Sequence, residues 1–154
     1  MKRILCAGAM ILALAVSATA TGVYLIAGQH DEAGWIEATA EGETLTLTIA
    51  TDGGWVLEET HIYVGTVPPT KSAPGRFPYK HEELDGAQMD TYTIDLDDFD
   101  VECGGVLYIA VHAVVSKADG EDQTETAWGE GDYIRAGKNW AMYFTTDVIC
   151  EVVR

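Results

Sequence analysis

The sequence has few of the residues on which catalytic motifs are built. Only three of its 154 residues are cysteine, and beyond the N-terminal segment serine occurs only as Ser72 and Ser116. The chain has no Gly-x-Ser-x-Gly nucleophile motif and no His-Glu-x-x-His zinc motif. Carboxylates are abundant but show no spacing specific to a glycosidase pair. We therefore expect no catalytic residues and a protein that is not an enzyme, with a hydrolase as the alternative.

Positive charge is also scarce. Nine Lys and Arg residues stand against 25 Asp and Glu residues, so the formal net charge is −16. A nucleic acid would be repelled by this field, and an anionic lipid surface is disfavoured for the same reason. The acidity fits calcium binding, a saline habitat or high solubility, and composition does not choose among them.

The N-terminus carries a long apolar segment without charge. Lys2 and Arg3 precede it, and residues 18–20 are the small side chains that a signal peptidase requires at its cleavage site. We predict a signal peptide over residues 1–20 and a mature protein that is secreted or held at the cell surface. The alternative is an uncleaved anchor, because the uncharged residues 4–27 are enough to cross a bilayer.

Two cysteines remain beyond the predicted signal peptide, Cys103 and Cys150. An even number of cysteines in an oxidising compartment favours a disulfide. We therefore predict the bond Cys103–Cys150, and two buried free thiols are the alternative.

The rest of the chain shows the alternation of β-strands and no helical period. Residues 44–51 and 91–96 alternate apolar with polar side chains, which indicates strands buried on one face. Residues 106–116 are almost continuously apolar, which indicates a strand at the centre of a sheet. The turn residues 52–54 predict a hairpin between strands 44–51 and 55–64. Further strands are predicted over residues 23–27, 35–40, 140–145 and 148–153.

Short strands separated by regular turn signals are typical of an all-β protein. We predict a single antiparallel β-sandwich of about seven or eight strands over residues 21–154, with a jelly roll as one form of it.

Residues 65–88 have no periodicity and contain all four prolines. A loop this long in a compact domain is usually functional or disordered. It combines aromatic side chains with three of the few basic residues, one of which is Lys71. A proline-stiffened surface loop is the alternative to a binding loop. The candidate ligand-binding residues here are Arg76, Phe77, Tyr79, Lys80 and His81.

Trp128 is the remaining candidate for ligand binding. Glycines follow it, and we expect it in a loop over residues 127–131, where its indole could face a sugar ring. Trp35 and Trp55 are weaker candidates, because a tryptophan of a sandwich is more often part of the core. The candidate partners are extracellular glycans or proteins, with no nucleic acid and no membrane beyond the anchor.

Calcium is the one candidate cofactor. Its predicted ligands are four carboxylates at the end of one strand, and residues 119–122 form a second acidic loop. Neither segment fits the EF-hand pattern, and a solvated acidic turn is the alternative. The four carboxylates belong to Asp95, Asp97, Asp98 and Asp100.

His61 and His112 lie inside two predicted core strands. A transition-metal site would need them to meet His81 and Glu59, and the sequence offers no local pair of ligands. We expect neutral, hydrogen-bonded core histidines, and no stoichiometric zinc or copper in the purified protein.

Five short segments between residues 60 and 144 resemble the motif series of a known group of domains. Taken in chain order, these segments are similar to the motifs of a widespread, largely uncharacterised group of secreted bacterial and archaeal surface β-domains. The resemblance implies an exported β-domain and no particular activity. The segments are residues 60–65 (THIYVG), 74–81 (PGRFPYKH), 107–115 (LYIAVHAVV), 125–131 (ETAWGEG) and 139–144 (NWAMYF).

Taken together, the sequence predicts an exported, non-catalytic module for binding or adhesion at the cell surface. Two alternatives belong to other classes: a self-assembling envelope or matrix subunit, with or without calcium, and a carbohydrate-binding module or glycoside-acting hydrolase.

Overall fold

The structure, a computed structural model, describes residues 20–119 and 122–150. The predicted signal peptide, except Ala20, lies outside these residues, as do Glu121 of the second acidic loop and residues 151–153 of the last predicted strand. In the described part of the chain, regular structure consists of ten β-strands and two 3-10 turns, Pro74–Arg76 and Leu96–Asp98. The strands are β1 (Thr21–Ala27), β2 (Asp31–Glu41), β3 (Thr44–Thr51), β4 (Trp55–Gly65), β5 (Tyr79–His81), β6 (Met89–Asp95), β7 (Val106–Lys117), β8 (Thr124–Gly129), β9 (Asp132–Tyr133) and β10 (Met142–Ile149).

One continuous hydrogen-bonded sheet joins these strands in the order β5-β4-β7-β8-β1-β2-β10-β9, with β3 on the other edge of β2 and β6 beyond β3. The described pairings are antiparallel except that of β10 with β2, which is parallel over two residue pairs, Val148 with Ala40 and Ile149 with Glu41. The predicted all-β, antiparallel fold is confirmed, with ten strands in place of seven or eight.

The sheet folds over itself and encloses a single main core. β1, β2, β3 and β6 form one layer, and β4, β5, β7 and β8 form the other, with β1 and β8 joined over three residue pairs. Alternate residues of β3, Leu45, Leu47 and Ile49, are fully buried, as the period of two predicts. They belong to the same apolar cluster as Ile109 and Val111 of β7. The two layers therefore cover each other.

β7 is the central strand of its layer, as the sequence predicts. β4 pairs along one edge of β7, while β8 and β10 share the other edge. Every residue from Ile109 to Ala113 is buried. A strand with neighbours on both edges and side chains covered on both faces needs the continuous apolar composition that residues 106–116 have.

A β-bulge in β4 changes which side chains of this strand face the core. Glu58 is the extra residue between the pairs Leu57–Val115 and Glu59–Val114. A bulge of one residue reverses the facing of every side chain beyond it. Residues before and after Glu58 therefore reach the same core although their parity differs. They are Trp55 and Leu57 before the bulge, and Ile62 and Val64 after it.

The predicted hairpin at residues 52–54 is wrong, although the turn is present. β3 pairs with β2 and β6, while β4 pairs with β5 and β7, so the turn carries the chain from one layer to the other. Gly53 and Gly54 have φ angles of +62° and +87°, which only glycine adopts without strain. The crossing is favourable because it places the apolar faces of β3 and β4 on opposite sides of the same core, where both are buried.

Three further boundaries differ from the predictions. Residues 140–145 and 148–153 were expected as two strands, but the described residues form one strand, β10. The polar composition of residues 117–126 predicts a loop there, but β8 already begins at Thr124. The segment 65–88 contains β5, which pairs with β4 over three residue pairs. Backbone pairing with a neighbouring strand decides each of these boundaries, and local composition does not report it.

The predicted disulfide is confirmed. Cys103 and Cys150 are bonded, with their Cα atoms 4.7 Å apart, and the bond links the segment before β7 to the end of β10. Gly104 donates its backbone N–H to the carbonyl of Val148 in the same corner. A structural disulfide indicates an oxidising, extracytoplasmic compartment. Within residues 20–119 and 122–150, no helix has the length and apolar character to cross a membrane.

Candidate functional site

The proline-rich loop is anchored on the outer face of the layer that contains β4, β7 and β8. Phe77 is its anchor, since only 5% of this residue is exposed. Its ring lies 6.2 Å from Tyr63 of β4 and 6.1 Å, edge on, from Trp128 of β8. Aromatic pairs at such distances and angles are favourable. The loop and the segment around Trp128, which are remote in sequence, therefore meet in one small aromatic cluster.

Hydrogen bonds fix the loop on both sides of this anchor. The Tyr63 hydroxyl donates to the carbonyl of Val67 at 2.8 Å. Asn139, just before β10, donates from Nδ2 to the Ser72 hydroxyl at 2.8 Å. The 3-10 turn Pro74–Arg76 closes the segment that leads to Phe77. The loop is thus ordered by its own proline residues and by contacts to β4 and to the β10 side.

The loop and β4 enclose a pocket of about 340 Å³. Two exposed cations, Lys71 and Arg76, stand at its border. Among the ion pairs of the described residues, neither of these two side chains has a carboxylate partner. The lining is mostly apolar and comes from Tyr63, Val64, Val67, Pro68, Phe77 and Pro78, together with Thr70.

The structure separates the candidate binding residues into two groups. Arg76 and Phe77 line the pocket, whereas Tyr79, Lys80 and His81 of β5 do not. Tyr79 packs against the main core, and burial raises the pKa of its hydroxyl. Lys80 reaches back to the carbonyl of Gly75 at 3.4 Å. The sequence did not single out Lys71 as a site residue, although its place among the prolines was a usable signal.

Trp128 does not present its indole to solvent. It lies in β8 and not in a loop, and only 4% of it is exposed. Phe77 contacts it from one side, and the ring of His112 lies 4.9 Å away on β7. A sugar cannot stack on a ring that other side chains already cover. The expected loop position and the expected exposure of Trp128 are both corrected by this packing.

His61 and His112 form a directly paired couple across β4 and β7. Their Nδ1 atoms are 3.0 Å apart, so one imidazole donates a hydrogen bond to the other. Nε2 of His61 lies 3.4 Å from a carboxylate oxygen of Glu82. Burial, and secondarily the neighbouring His61, lowers the pKa of His112 to about 3. His112 is therefore neutral at ordinary pH.

A second polar cluster lies where β4 and β5 meet β6. The Thr60 hydroxyl donates to Oδ2 of the buried Asp90 at 2.6 Å, and Tyr92 donates to Thr60 at 2.7 Å. Nδ1 of His81 lies 2.9 Å from both carboxylate oxygens of Asp90, and its ring stacks on Tyr92 at 4.2 Å. Burial raises the pKa of Tyr92 to about 12. The hydroxyl of Thr60 bonds the carboxylate and not the imidazole, so the order nucleophile–histidine–aspartate is not formed here.

The structure does not unite the predicted metal ligands. Within the described residues, no group of three or more His, Cys, Asp or Glu side chains is arranged to hold a metal ion. His81 joins Asp90 and not the His61–His112 pair. Among the calcium candidates Asp95, Asp97, Asp98 and Asp100, the carboxylate of Asp95 instead accepts from the backbone N–H of Asp97 and caps a 3-10 turn. Calcium as a candidate cofactor stays a prediction, and so does the absence of stoichiometric zinc or copper.

Comparisons of this chain with family models, curated proteins and solved structures found no match. The resemblance to secreted surface domains therefore stays a prediction. The five segments that suggested it do converge in space: they supply β4, the anchored loop with β5, β7, β8 and the start of β10. Their aromatic and histidine side chains form the cluster beneath the loop.

Proposed function

We propose that the protein is an exported, non-catalytic binding module, secreted or held at the cell surface, and that the pocket beneath residues 67–78 holds its ligand. The observation that carries the proposal is a pair of cations, Lys71 and Arg76, that have no carboxylate partner among the described ion pairs and stand beside a preformed apolar pocket. Proteins place such combinations of apolar lining and few polar groups where they bind small ligands.

The negative charge of the whole chain makes Lys71 and Arg76 unusual on this surface. At a net charge of −16, most of the surface repels anions. Two cations that form no ion pair within residues 20–119 and 122–150 create a local exception. An arginine at such a place binds a carboxylate through two parallel hydrogen bonds. The pocket is therefore suited to an apolar group that carries a carboxylate.

The size and rigidity of the pocket define the ligand further. About 340 Å³ lies at the lower end of the volumes of ligand pockets, enough for one side chain with its terminal group. The anchored Phe77 and the proline residues keep the loop ordered before binding, so little conformational entropy is lost when the ligand enters. We propose the C-terminal residue of an extracellular peptide, with an apolar side chain and a free carboxylate, as the ligand class.

The test is a titration of the mature protein, ¹⁵N-labelled, with N-acetyl-leucine and with N-acetyl-leucinamide, which lacks the carboxylate. We expect saturable chemical-shift changes at residues 63–78 with the acid and much weaker ones with the amide. Higher salt should weaken binding, because exposed charges are screened. The double variant Lys71→Ala, Arg76→Ala should lose binding by about tenfold or more.

The matched control is Lys117→Ala, which removes a positive charge at the far end of β7. Lys117 pairs with Trp55 in the register, whereas the loop begins beside Tyr108 at the opposite end. This control should bind as the wild type does. Equal binding of acid and amide, absence of shifts at residues 63–78, or equal loss in the control would contradict the proposal.

A further inference from the structure

The layer opposite the loop exposes two aromatic side chains that the core does not use. Tyr24 of β1 is 53% exposed and Trp35 of β2 is 41% exposed. The two residues are directly opposite each other in the antiparallel register. Their side chains are therefore direct cross-strand neighbours on the same face of the sheet, with Cβ atoms about 5 Å apart. Both rings are accessible to solvent, and an aromatic side chain offers a large apolar contact area to a ligand.

A depression of about 500 Å³ adjoins these rings. Gly22 contributes no side chain to it, and the nearest atom to a Cβ at this position would be 4.0 Å away. Two carboxylates, Glu37 and Glu130, supply its charged groups, and no lysine or arginine lines it. Glu130 is held in place because its backbone N–H donates to the carbonyl of Tyr24 at 2.8 Å.

The backbone at the aromatic pair is already hydrogen-bonded. β2 lies between β1 and β3, and the carbonyl of Tyr24 accepts from the N–H of Glu130, while β8 pairs with β1 only from Leu25 to Ala27. Strand addition, which needs unpaired N–H and C=O groups, is therefore not available at Tyr24 and Trp35. Two rings and a shallow depression also offer far less than the area of a stable protein interface. The occupant must be recognised by side chains alone and must be small in cross-section.

We propose that the Tyr24–Trp35 face binds a neutral glycan chain. The faces of the two rings contact the apolar C–H surface of successive sugar rings, and the carboxylates of Glu37 and Glu130 accept hydrogen bonds from sugar hydroxyls. A hydroxyl donating to a carboxylate is a strong, charge-assisted bond. The acidic lining and the net charge of −16 repel uronic or sulfated chains, so the ligand is uncharged.

Polar side chains continue across the sheet beyond the aromatic pair. Glu37 lies opposite Thr48 of β3, and Thr48 lies opposite Thr91 of β6. Residues directly opposite each other share a face of the sheet, so the two threonine hydroxyls extend the polar row from Glu37 across three strands, β2, β3 and β6. A chain of several sugars, longer than the depression itself, can follow this row. This site lies on a different layer from the loop pocket and uses none of its residues.

The experiment is a titration of the mature protein with the neutral hexasaccharides of β-1,4-glucan, β-1,3-glucan, chitin and β-1,4-mannan, with tetragalacturonate as the anionic comparison. We expect saturable binding of at least one neutral probe, with a change in tryptophan emission from Trp35, and no binding of tetragalacturonate. Trp35→Ala and Tyr24→Ala should each weaken binding by about tenfold or more. Glu37→Gln keeps the size of the side chain and should weaken binding by about fivefold, because a neutral acceptor replaces a charged one.

The control is Tyr133→Ala, which removes a tyrosine that is 58% exposed on β9 and does not line the depression. It should bind normally, and so should the Lys71→Ala, Arg76→Ala variant, which separates this site from the loop pocket. Failure of all four neutral probes, or binding that survives both Trp35→Ala and Tyr24→Ala, overturns the proposal. Thermal unfolding of each variant checks that these exposed substitutions leave the fold intact.

Discussion

The ionisation of His112 is coupled to folding. Its imidazole is enclosed by Trp128 and by His61, whose Nδ1 shares a hydrogen bond with it. Burial is the largest cause of its lowered pKa, about 3, against an ordinary value of 6.5, and the charge of His61 is the second cause. In the unfolded chain the same residue takes up a proton near pH 6.5.

We predict that this residue makes the protein less stable as the pH falls from 6.5 towards 4. In that range the unfolded state binds a proton at His112 and the folded state does not, so the free energy of unfolding becomes smaller as the pH falls. Above pH 6.5 the contribution is complete. The variant His112→Gln should show a flatter pH dependence over this window in urea unfolding. The exposed His30, replaced by Gln, is the control, and identical slopes for all three proteins would contradict the prediction.

The charged and aromatic groups that face the His61–His112 pair come from three elements. Glu59 of β4 and Glu82 after β5 approach Nε2 of His61 at 3.9 and 3.4 Å, while Lys80 lies 3.9 Å from Glu82. Trp128 covers the pair from β8. The approach of Glu59 to His61 joins residues two apart on one strand, which the period of two allows, whereas the contacts with Glu82 and Trp128 join segments remote in sequence and cannot be inferred from spacing.

At the scale of a single strand, the bulge of β4 decides which residues reach the core. Without the extra residue Glu58, Trp55 and Leu57 would face outwards while Ile62 and Val64 stayed inside. The carboxylate of Glu58 also accepts a hydrogen bond from the Ser116 hydroxyl at 2.6 Å, and its carbonyl accepts from the N–H of Leu84. The bulge is therefore held from two sides.

We predict that deleting Glu58 destabilises the protein far more than truncating its side chain. Deletion moves two large buried side chains to the wrong face, each of which contributes about 1.5–3 kcal/mol when buried. Glu58→Ala keeps the bulge and loses one partly exposed hydrogen bond, at a cost of about 1 kcal/mol. Urea unfolding of both variants measures the difference. A deletion variant as stable as Glu58→Ala would show that the register is set elsewhere.

For the molecule as a whole, one covalent bond opposes a large unfavourable charge. The net charge of −16 favours expanded states by self-repulsion. The disulfide closes a segment of 47 residues that contains the central strand β7 and the strands β8 to β10. It restricts the unfolded chain over this segment, which in the chain-entropy model contributes about 4 kcal/mol as an upper figure.

We predict that the double variant Cys103→Ala, Cys150→Ala folds with a free energy of unfolding lower by about 2–4 kcal/mol. Urea unfolding at fixed pH and salt gives this difference, and the same loss should follow from reduction of the wild type. Mass spectrometry after alkylation without reductant should find neither cysteine modified in the native protein. Two alkylated thiols, or an unchanged unfolding midpoint in the variant, would contradict the prediction.

The sequence by itself determined the local properties of this protein. The alternation of apolar and polar side chains in residues 44–51 and 91–96 indicated strands buried on one face, because the side chains of a strand point to its two faces in turn. The continuous apolar run of residues 106–116 reported the central strand, and two cysteines beyond the apolar N-terminal segment reported the disulfide. The anchoring of Phe77 and the cationic border at Arg76 also belong to a loop that composition had singled out.

Only the tertiary structure decided what depends on neighbours from distant parts of the chain. The turn at residues 52–54 was visible, but whether it joined paired strands or two layers depended on the partners of β3 and β4. Trp128 and Trp35 show the same limit at the level of one side chain. Both lie in strands of mixed composition, yet Phe77 and His112 cover the first, which is 4% exposed, while the second stays 41% exposed. Exposure is a property of the assembled surface, because it is set by which distant segments fold over a residue, and the sequence of that residue's own strand does not contain this information.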